Sequence, residues 1–279
     1  LTLRYIPRDR PGAGKRRQRM DIAGMALLGG GLLAGMLAVG YLGEGNAHAW
    51  SPAFVAPLAV AIIALWMFFR HINRSASPFI APQLIYGPGF GAVNLLNALY
   101  GGISNSVVAL IPLYAINRYG ISALGSGTLL IAQGGAAIVI SVAAALALRR
   151  TGYRPPLYVG GVIIAIGTLL LALSPVAGIP PYAWLAGAAF VVGVGAGAIN
   201  PASRNAGLQL APERSSTLAA LRTMCMQTGS MTAISIATAA LAGSADPGGS
   251  QAWVYVMAAV LLVVALPLVA RIPEHRGSW

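Results

Sequence analysis

The sequence predicts an all-α, polytopic membrane protein with eight transmembrane helices, and three observations lead there. Eight mostly apolar stretches of roughly 18–28 residues recur along the chain, each long enough to cross a hydrocarbon core of about 30 Å at about 1.5 Å per residue. The chain is 57% hydrophobic and 9% charged, with a mean hydropathy of +0.74, a composition at which a soluble domain would aggregate. Positive charge, finally, is confined to alternate connections. One side holds Arg4, Arg8, Arg10, Lys15, Arg16, Arg17 and Arg19, then Arg70 and Arg74, then Arg149, Arg150 and Arg154. The same side holds Arg204, Arg214, Arg271 and Arg276, whereas the opposite side holds only Arg118, and Arg222 falls within a span. Basic residues retained in the cytoplasm set the orientation of helical membrane proteins. Both termini are therefore expected inside, in a bacterial inner membrane.

The first span, residues 21–43, is crowded with glycine (Gly24, Gly29, Gly30, Gly31, Gly35, Gly40), which permits close helix approach in lipid. A short outer loop with Glu44, Asn46 and His48 leads to Trp50, placed as an interfacial anchor, and residues 52–69 return inward. A longer connection, 71–87, carries Pro78 and Pro82 between apolar residues and is expected to lie along the membrane surface. The third span, 89–116, is the most polar. Asn94, Asn97, Gly101 and Asn105 follow helical spacing, so three amides share one face, which either lines a cavity or bonds to neighbouring helices. Residues 124–148 carry one mid-depth amide, Gln133, and end in Arg149-Arg150-Thr-Gly152-Tyr-Arg154. Residues 156–174 read as a packing helix. Residues 182–203 contain Gly193, Gly195 and Gly197, then Asn200-Pro201; with no strand before it, this run reads as helix packing and not as a dinucleotide fingerprint. Residues 217–241 carry Arg222 about two turns from the inner end, either as a snorkelling anchor or in a functional role. Residues 251–270 are almost purely aliphatic.

A net charge of +12 would ordinarily raise the question of nucleic acid. Here the basic residues sit in short loops beside apolar spans, so anionic lipid headgroups of the bilayer are the expected partner, and nucleic acid is not. The single cysteine, Cys225, excludes an internal disulfide. His48, His71 and His275 fall at span ends or tails, and none of Asp9, Asp21, Glu44, Glu213, Asp246 and Glu274 lies near mid-span. No metal site, cofactor site or nucleophile–base constellation is expected, and hence no enzyme. The opening Leu1-Thr-Leu-Arg-Tyr-Ile-Pro-Arg8 reads as the exit from a preceding helix, so the chain is expected to be the latter part of something longer.

Several segments together resemble one family. Ala211-Pro-Glu-Arg-Ser-Ser-Thr217, continuing to Met226-Gln227-Thr228-Gly229, is similar to the Pro-Glu-Arg loop and the Arg-Gln-x-Gly helix start of fourteen-helix drug:proton antiporters of the major facilitator superfamily. Gly193-x-Gly195-x-Gly197-x-x-Asn200-Pro201 resembles the superfamily's glycine-rich tenth core helix, and Pro112-Leu113-Tyr114 with Gly120 and Ser122 the end of its seventh. Arg150-x-Gly152-x-Arg154 resembles the second-half copy of its basic loop. There are departures: Ser215-Ser216 lacks the family's loop glycine, and Met226 stands where arginine is frequent, with Arg222 four residues earlier on the same face.

The resemblance implies a cytoplasmic basic linker (1–20), two linker transmembrane helices (21–70), a cytoplasmic interfacial loop (71–87), the C-terminal six-helix transporter half (88–271) and a cytoplasmic tail (272–279). It implies alternating access, with a missing N-terminal six-helix half as partner, and export of small amphiphilic or drug-like molecules by proton antiport. Asn97, Tyr100, Asn105, Gln133, Asn200 and Gln227 are then the expected substrate-cavity residues, each with interhelical bonding as the alternative. Arg150, Gly152, Arg154 and Arg222 are the expected cytoplasmic charge lock, the first three otherwise acting as topology determinants. With no mid-span acid, the coupling carboxylate is expected in the other half. Export of a specific metabolite, or a non-transporting scaffold or accessory role, stays open.

Overall fold

The computed structural model of the chain describes residues 21–44, 48, 50–75, 78–176, 178–242, 244–272 and 274. The basic linker at 1–20, Asn46, His275 and Arg276 lie outside the described residues. So do most of the expected tail and the side chain of Glu213.

The described residues are helical and contain no strand. Helices α1 (Ile22–Tyr41) and α2 (Pro52–Arg74) form an antiparallel pair, followed by a short α3 (Pro82–Tyr86). Helix α4 (Phe90–Tyr119) is next, then α5 (Ala123–Thr151) and α6 (Arg154–Ala172). Helix α7 (Pro181–Leu210), α8 (Ser215–Ala242) and α9 (Pro247–Arg271, its last turns tightened to a 3-10 helix) complete the chain. Seven of these helices are long and apolar enough to cross a membrane, not the eight expected. The exception is α8. It has 28 residues, but Arg222, Gln227 and its many Ser and Thr residues lower its hydropathy. Helix α7 also outruns the apolar stretch that announces it, so Arg204 sits on a helix and not in a loop. Its Pro201 is tolerated because the freed backbone lies among neighbouring helices.

Short connections make sequential helices antiparallel, and the arginine-bearing ends gather at one end of the bundle. There Asp21 caps α1, accepting from Gly24 N–H at 2.8 Å, and also accepts from Phe79 N–H at 2.9 Å. Its Oδ1 pairs with His71 Nε2 at 2.7 Å, tying the start of α1 to the end of α2. Burial raises the Asp21 carboxyl, but the two backbone donors and His71 outweigh it and hold its pKa below the usual value. Beside this, Phe68, Ile72, Ile80, Leu84, Leu218 and Leu221 form a small apolar cluster. That cluster joins α2 and α3 to the start of α8.

The main core is formed by α4, α6, α7 and α9 with support from α5, and glycine sets its spacing. A Cβ on Gly193 would lie 2.2 Å from the Gln133 carbonyl oxygen, and one on Gly197 2.6 Å from that of Ala137, so both face α5. Gly195 faces the other way, where a Cβ would meet Gly160 O of α6 at 2.7 Å. The Gly193-x-Gly195-x-Gly197 run thus packs α7 against two helices at once, without large side chains between the backbones. A second crossing pairs α4 with α8: a Cβ on Gly229 would fall 2.1 Å from Ala98 O. In lipid, unlike water, apolar side chains have no reason to leave the surface. Leu124, Ile131 and Leu146 of α5 and Trp253 of α9 accordingly remain exposed.

Candidate functional site

Helix α4 is not regular. Residues Asn97–Gly101 form a π turn, one residue wider than an α turn, which rotates everything after it relative to everything before. The three asparagines of the expected stripe therefore make different contacts, Asn94 and Asn97 lining one space and Asn97 and Asn105 an adjoining one. Asn94 donates to Leu84 O and Ile85 O of α3, at 2.9 and 3.2 Å, and so helps hold α3. Asn97 is buried and donates to Val93 O at 2.9 Å, within its own helix. Asn105 is exposed on the wall of a narrow cleft. The wide turn stands where Gly101 and Gly102 meet Met226 and Gly229 of α8, the closest point of that crossing.

Between α4, α7 and α8 lies a polar cavity of about 340 Å³ near the arginine-rich end of the bundle. The narrower cleft of about 70 Å³ runs from it towards Tyr100 and Asn105. Asn97, Asn200, Ser203 and Arg222 line both, so they stand where the two meet. Local sequence explains the grouping: Asn200, Ser203, Arg204 and Gly207 follow at i, i+3, i+4 and i+7 on one face of α7. Arg222 faces them from α8, and its Nη2 donates to Asn200 Oδ1 at 2.7 Å and to Ser203 Oγ at 3.4 Å. Its Nε is buried with no hydrogen-bond partner. Arg204, exposed, lines the mouth of the same cavity.

Of the expected cavity residues, Asn97, Tyr100, Asn105 and Asn200 come together along the cleft. Tyr100 forms a buried part of the cleft wall. It is 1% exposed, its hydroxyl donates to Leu262 O of α9 at 2.7 Å, and its ring fills the space above Gly161 of α6. Gln133 lies half-buried on α5, away from the cavity. Gln227 points to another groove, between α8 and α1, lined by Leu32, Met36 and Thr223. The sequence reading missed Arg204 and Ser203 as members of the site. Their spacing from Asn200 was the available signal, but Arg204 was read as a loop charge.

The expected charge lock divides. Arg150 is exposed and makes no described ion pair. Gly152 adopts φ +75°, a backbone that favours glycine, and turns the chain from α5 into α6. Arg154 donates from Nε to Ile272 O at 2.8 Å and lies 3.8 Å from Glu274, while Tyr153 N–H donates to Glu274 at 2.8 Å. The start of α6 is thereby latched to the segment leaving α9. Burial and the nearby Glu274 charge push the Tyr153 hydroxyl up to about 12. Arg222 belongs to the cavity, not to this latch.

A groove of about 670 Å³ between α4, α8 and α9 is lined mainly by Ile103, Leu110, Ile236, Trp253 and Leu261 and offers little to orient a ligand. Polar recognition is therefore concentrated between α4, α7 and α8. No curated protein matches this chain. Residues 13–234 match the sequence profile of the Major Facilitator Superfamily, which spans most of the chain. The helical architecture, the seven apolar spans and this match agree: the chain is a multi-pass membrane protein and belongs to the Major Facilitator Superfamily of transporters.

Proposed function

We propose that the chain is the C-terminal portion of a secondary active transporter of the fourteen-helix drug:proton antiporter branch, exporting small amphiphilic or drug-like molecules by alternating access. One observation carries the reading: an apolar bundle encloses a polar cavity walled by Asn97, Asn200, Ser203 and Arg222, and the cavity reaches towards mid-depth. Convergent polar groups beside apolar surface from Phe90, Val93, Leu208 and Leu218 suit amphiphilic cargo.

In this reading α1 and α2 are linker helices, residues 88–271 form the second six-helix half, and α8 crosses the membrane as an eighth span. The 71–87 connection and both termini face the cytoplasm of a bacterial inner membrane, a placement that the arginine distribution supports. Among the described carboxylates Asp21, Glu44, Asp246 and Glu274 all lie at or beyond helix ends, so in this reading the other half supplies the coupling carboxylate.

The test is uptake of a lipophilic fluorescent dye into inverted membrane vesicles carrying the complete protein, with an imposed proton gradient. Gradient-dependent accumulation that Asn200→Ala reduces by about tenfold supports the reading. Accumulation that ignores both the gradient and the substitution refutes it.

A further inference from the structure

The cavity between α4, α7 and α8 holds positive charge that nothing described neutralises. Of the described carboxylates, Asp21 is paired with His71, Asp246 with Arg118 and Glu274 with Arg154. Glu44 lies at the opposite end, in the turn after α1. Arg222 and Arg204 thus face one cavity without a described acid, and both line its wall. Arg222 has engaged only Nη2, with two neutral acceptors, Asn200 and Ser203. Its Nε is buried and unmet. A guanidinium carries five N–H donors in a planar fork, and a carboxylate or phosphate oxygen pair takes two of them in parallel. Around it stand the Asn94 and Asn97 amides and the Ser203 hydroxyl, while Phe90, Val93, Leu208 and Leu218 line the same cavity with apolar surface.

We propose that this cavity recognises the anionic headgroup, a carboxylate or a phosphate ester, of an amphiphilic molecule. Arg222 is the contact residue, Arg204 the attracting charge at the mouth, and the apolar wall takes the body of the ligand. The inference rests on the transport reading for its cargo and narrows that cargo to organic anions. Asn200 and Ser203 hold the guanidinium in place before the ligand arrives, which limits the ordering cost of binding. Partial burial of Arg222 strengthens an ion pair here relative to one in bulk water.

The experiment is equilibrium binding to the complete protein in phosphatidylcholine nanodiscs. The probes share one ring system and differ in charge: 1-naphthoate, 1-naphthyl phosphate and 1-naphthylmethylammonium. Both anions are expected to bind at least about tenfold tighter than the cation, because their charge pairs with Arg222. Arg222→Gln should weaken the anions by about tenfold or more, and Arg204→Gln by a few fold, as rim charges do. Arg222→Lys keeps the charge and should retain part of the affinity, which guards against misreading a folding defect. Discs of phosphatidylglycerol separate two sources of the same chemistry: weaker naphthoate binding there identifies lipid headgroups as competitors for the anion site. Equal or tighter binding of the cation, no binding by any probe, or unchanged naphthoate affinity in a folded Arg222→Gln protein overturns the proposal. Because the readout needs no turnover, failure of dye transport with anion binding intact would sink the transport reading alone.

Discussion

Replacing Gly193 with alanine is the sharpest test of how the bundle is held together. The added methyl would arrive 2.2 Å from the Gln133 carbonyl oxygen and 3.0 Å from the Ala136 Cβ, where ordinary contact begins at 3.4 Å. The obstructing atom is backbone, so no rotamer change relieves it, and α5 and α7 would have to separate by about 1 Å. Inserting a methylene into a packed core typically costs about 1–3 kcal/mol; a clash with main chain belongs at the upper end. For a chain of this size a loss of about 3 kcal/mol corresponds to a melting point lower by roughly 6–12 °C. Purified protein in a mild detergent, followed by tryptophan fluorescence on heating, measures it directly. Gly134→Ala, also on α5, is the matched control because nothing lies within 4 Å of its Cβ position. It should melt within a degree or so of the parent or slightly higher, since alanine favours helix over glycine. If Gly193→Ala and Gly134→Ala melt alike, the close α5–α7 approach is wrong, and with it the packing role assigned to the glycine run.

Tyr100→Phe should lower stability by about 1 kcal/mol through loss of the bond to Leu262 O, seen as a lower melting point. Dye transport should be unchanged; a large transport defect at full stability would restore Tyr100 as a substrate contact. Asp246 accepts from Gly249 N–H at 2.9 Å as the cap of α9, and its ion pair with Arg118 at 3.5 Å is exposed. Asp246→Ala should therefore cost about 1 kcal/mol and Arg118→Ala well under that, a ranking that thermal melts of the two variants can reverse. Asp21 has a folded pKa below its ordinary 3.8. Its contribution is fully present above that value and is lost as pH falls through the folded pKa. Melts repeated from pH 6 down to about pH 3 should show a drop that Asp21→Asn lacks, and identical profiles would remove Asp21 as the fastener of α1 to α2.

Which parts of this were legible in the sequence follows from the range of each interaction. Apolar runs of spanning length mark the helices locally, and Asp21, Ser51, Ser122 and Asp246 sit where N-caps belong. The Gly193-x-Gly195-x-Gly197 spacing announced close packing, though not that alternate glycines serve different neighbours. The amide stripe is shared between two adjoining spaces, Asn94 on one, Asn105 on the other and Asn97 on both, because helical periodicity presumes 3.6 residues per turn and the π turn at Asn97–Gly101 breaks that phase. Tyr100, sitting inside that turn, is rotated into the core towards Leu262. Gln227 faces α1 instead of α7, which depends on how the first helical pair leans on α8. The contact between Arg222 and Asn200 joins residues on different helices, and no local pattern specifies it.

The same tight contacts constrain how such a bundle can work. Helix α7 meets both α5 and α6 through backbone approaches that would place a missing Cβ between 2.2 and 2.8 Å from main-chain oxygens. Helix α8 meets α4 as closely at Gly229, and the Arg154–Ile272 bond ties α6 to the end of α9. Interiors packed to this density do not deform continuously; they move as bodies or switch between discrete arrangements. Sliding α7 along α5 by even a fraction of a turn would drive Gly193 or its neighbours into the Gln133 carbonyl. The contacts thus bind α5, α6 and α7 into one packed body and α4 with α8 into another. In the transport reading proposed above, the polar cavity bounded by α4, α7 and α8 would change its access through movement of these packed bodies and not through bending of single helices. The Arg222 bonds to Asn200 and Ser203 bridge α7 and α8, a pair that no such glycine contact among the described residues locks together.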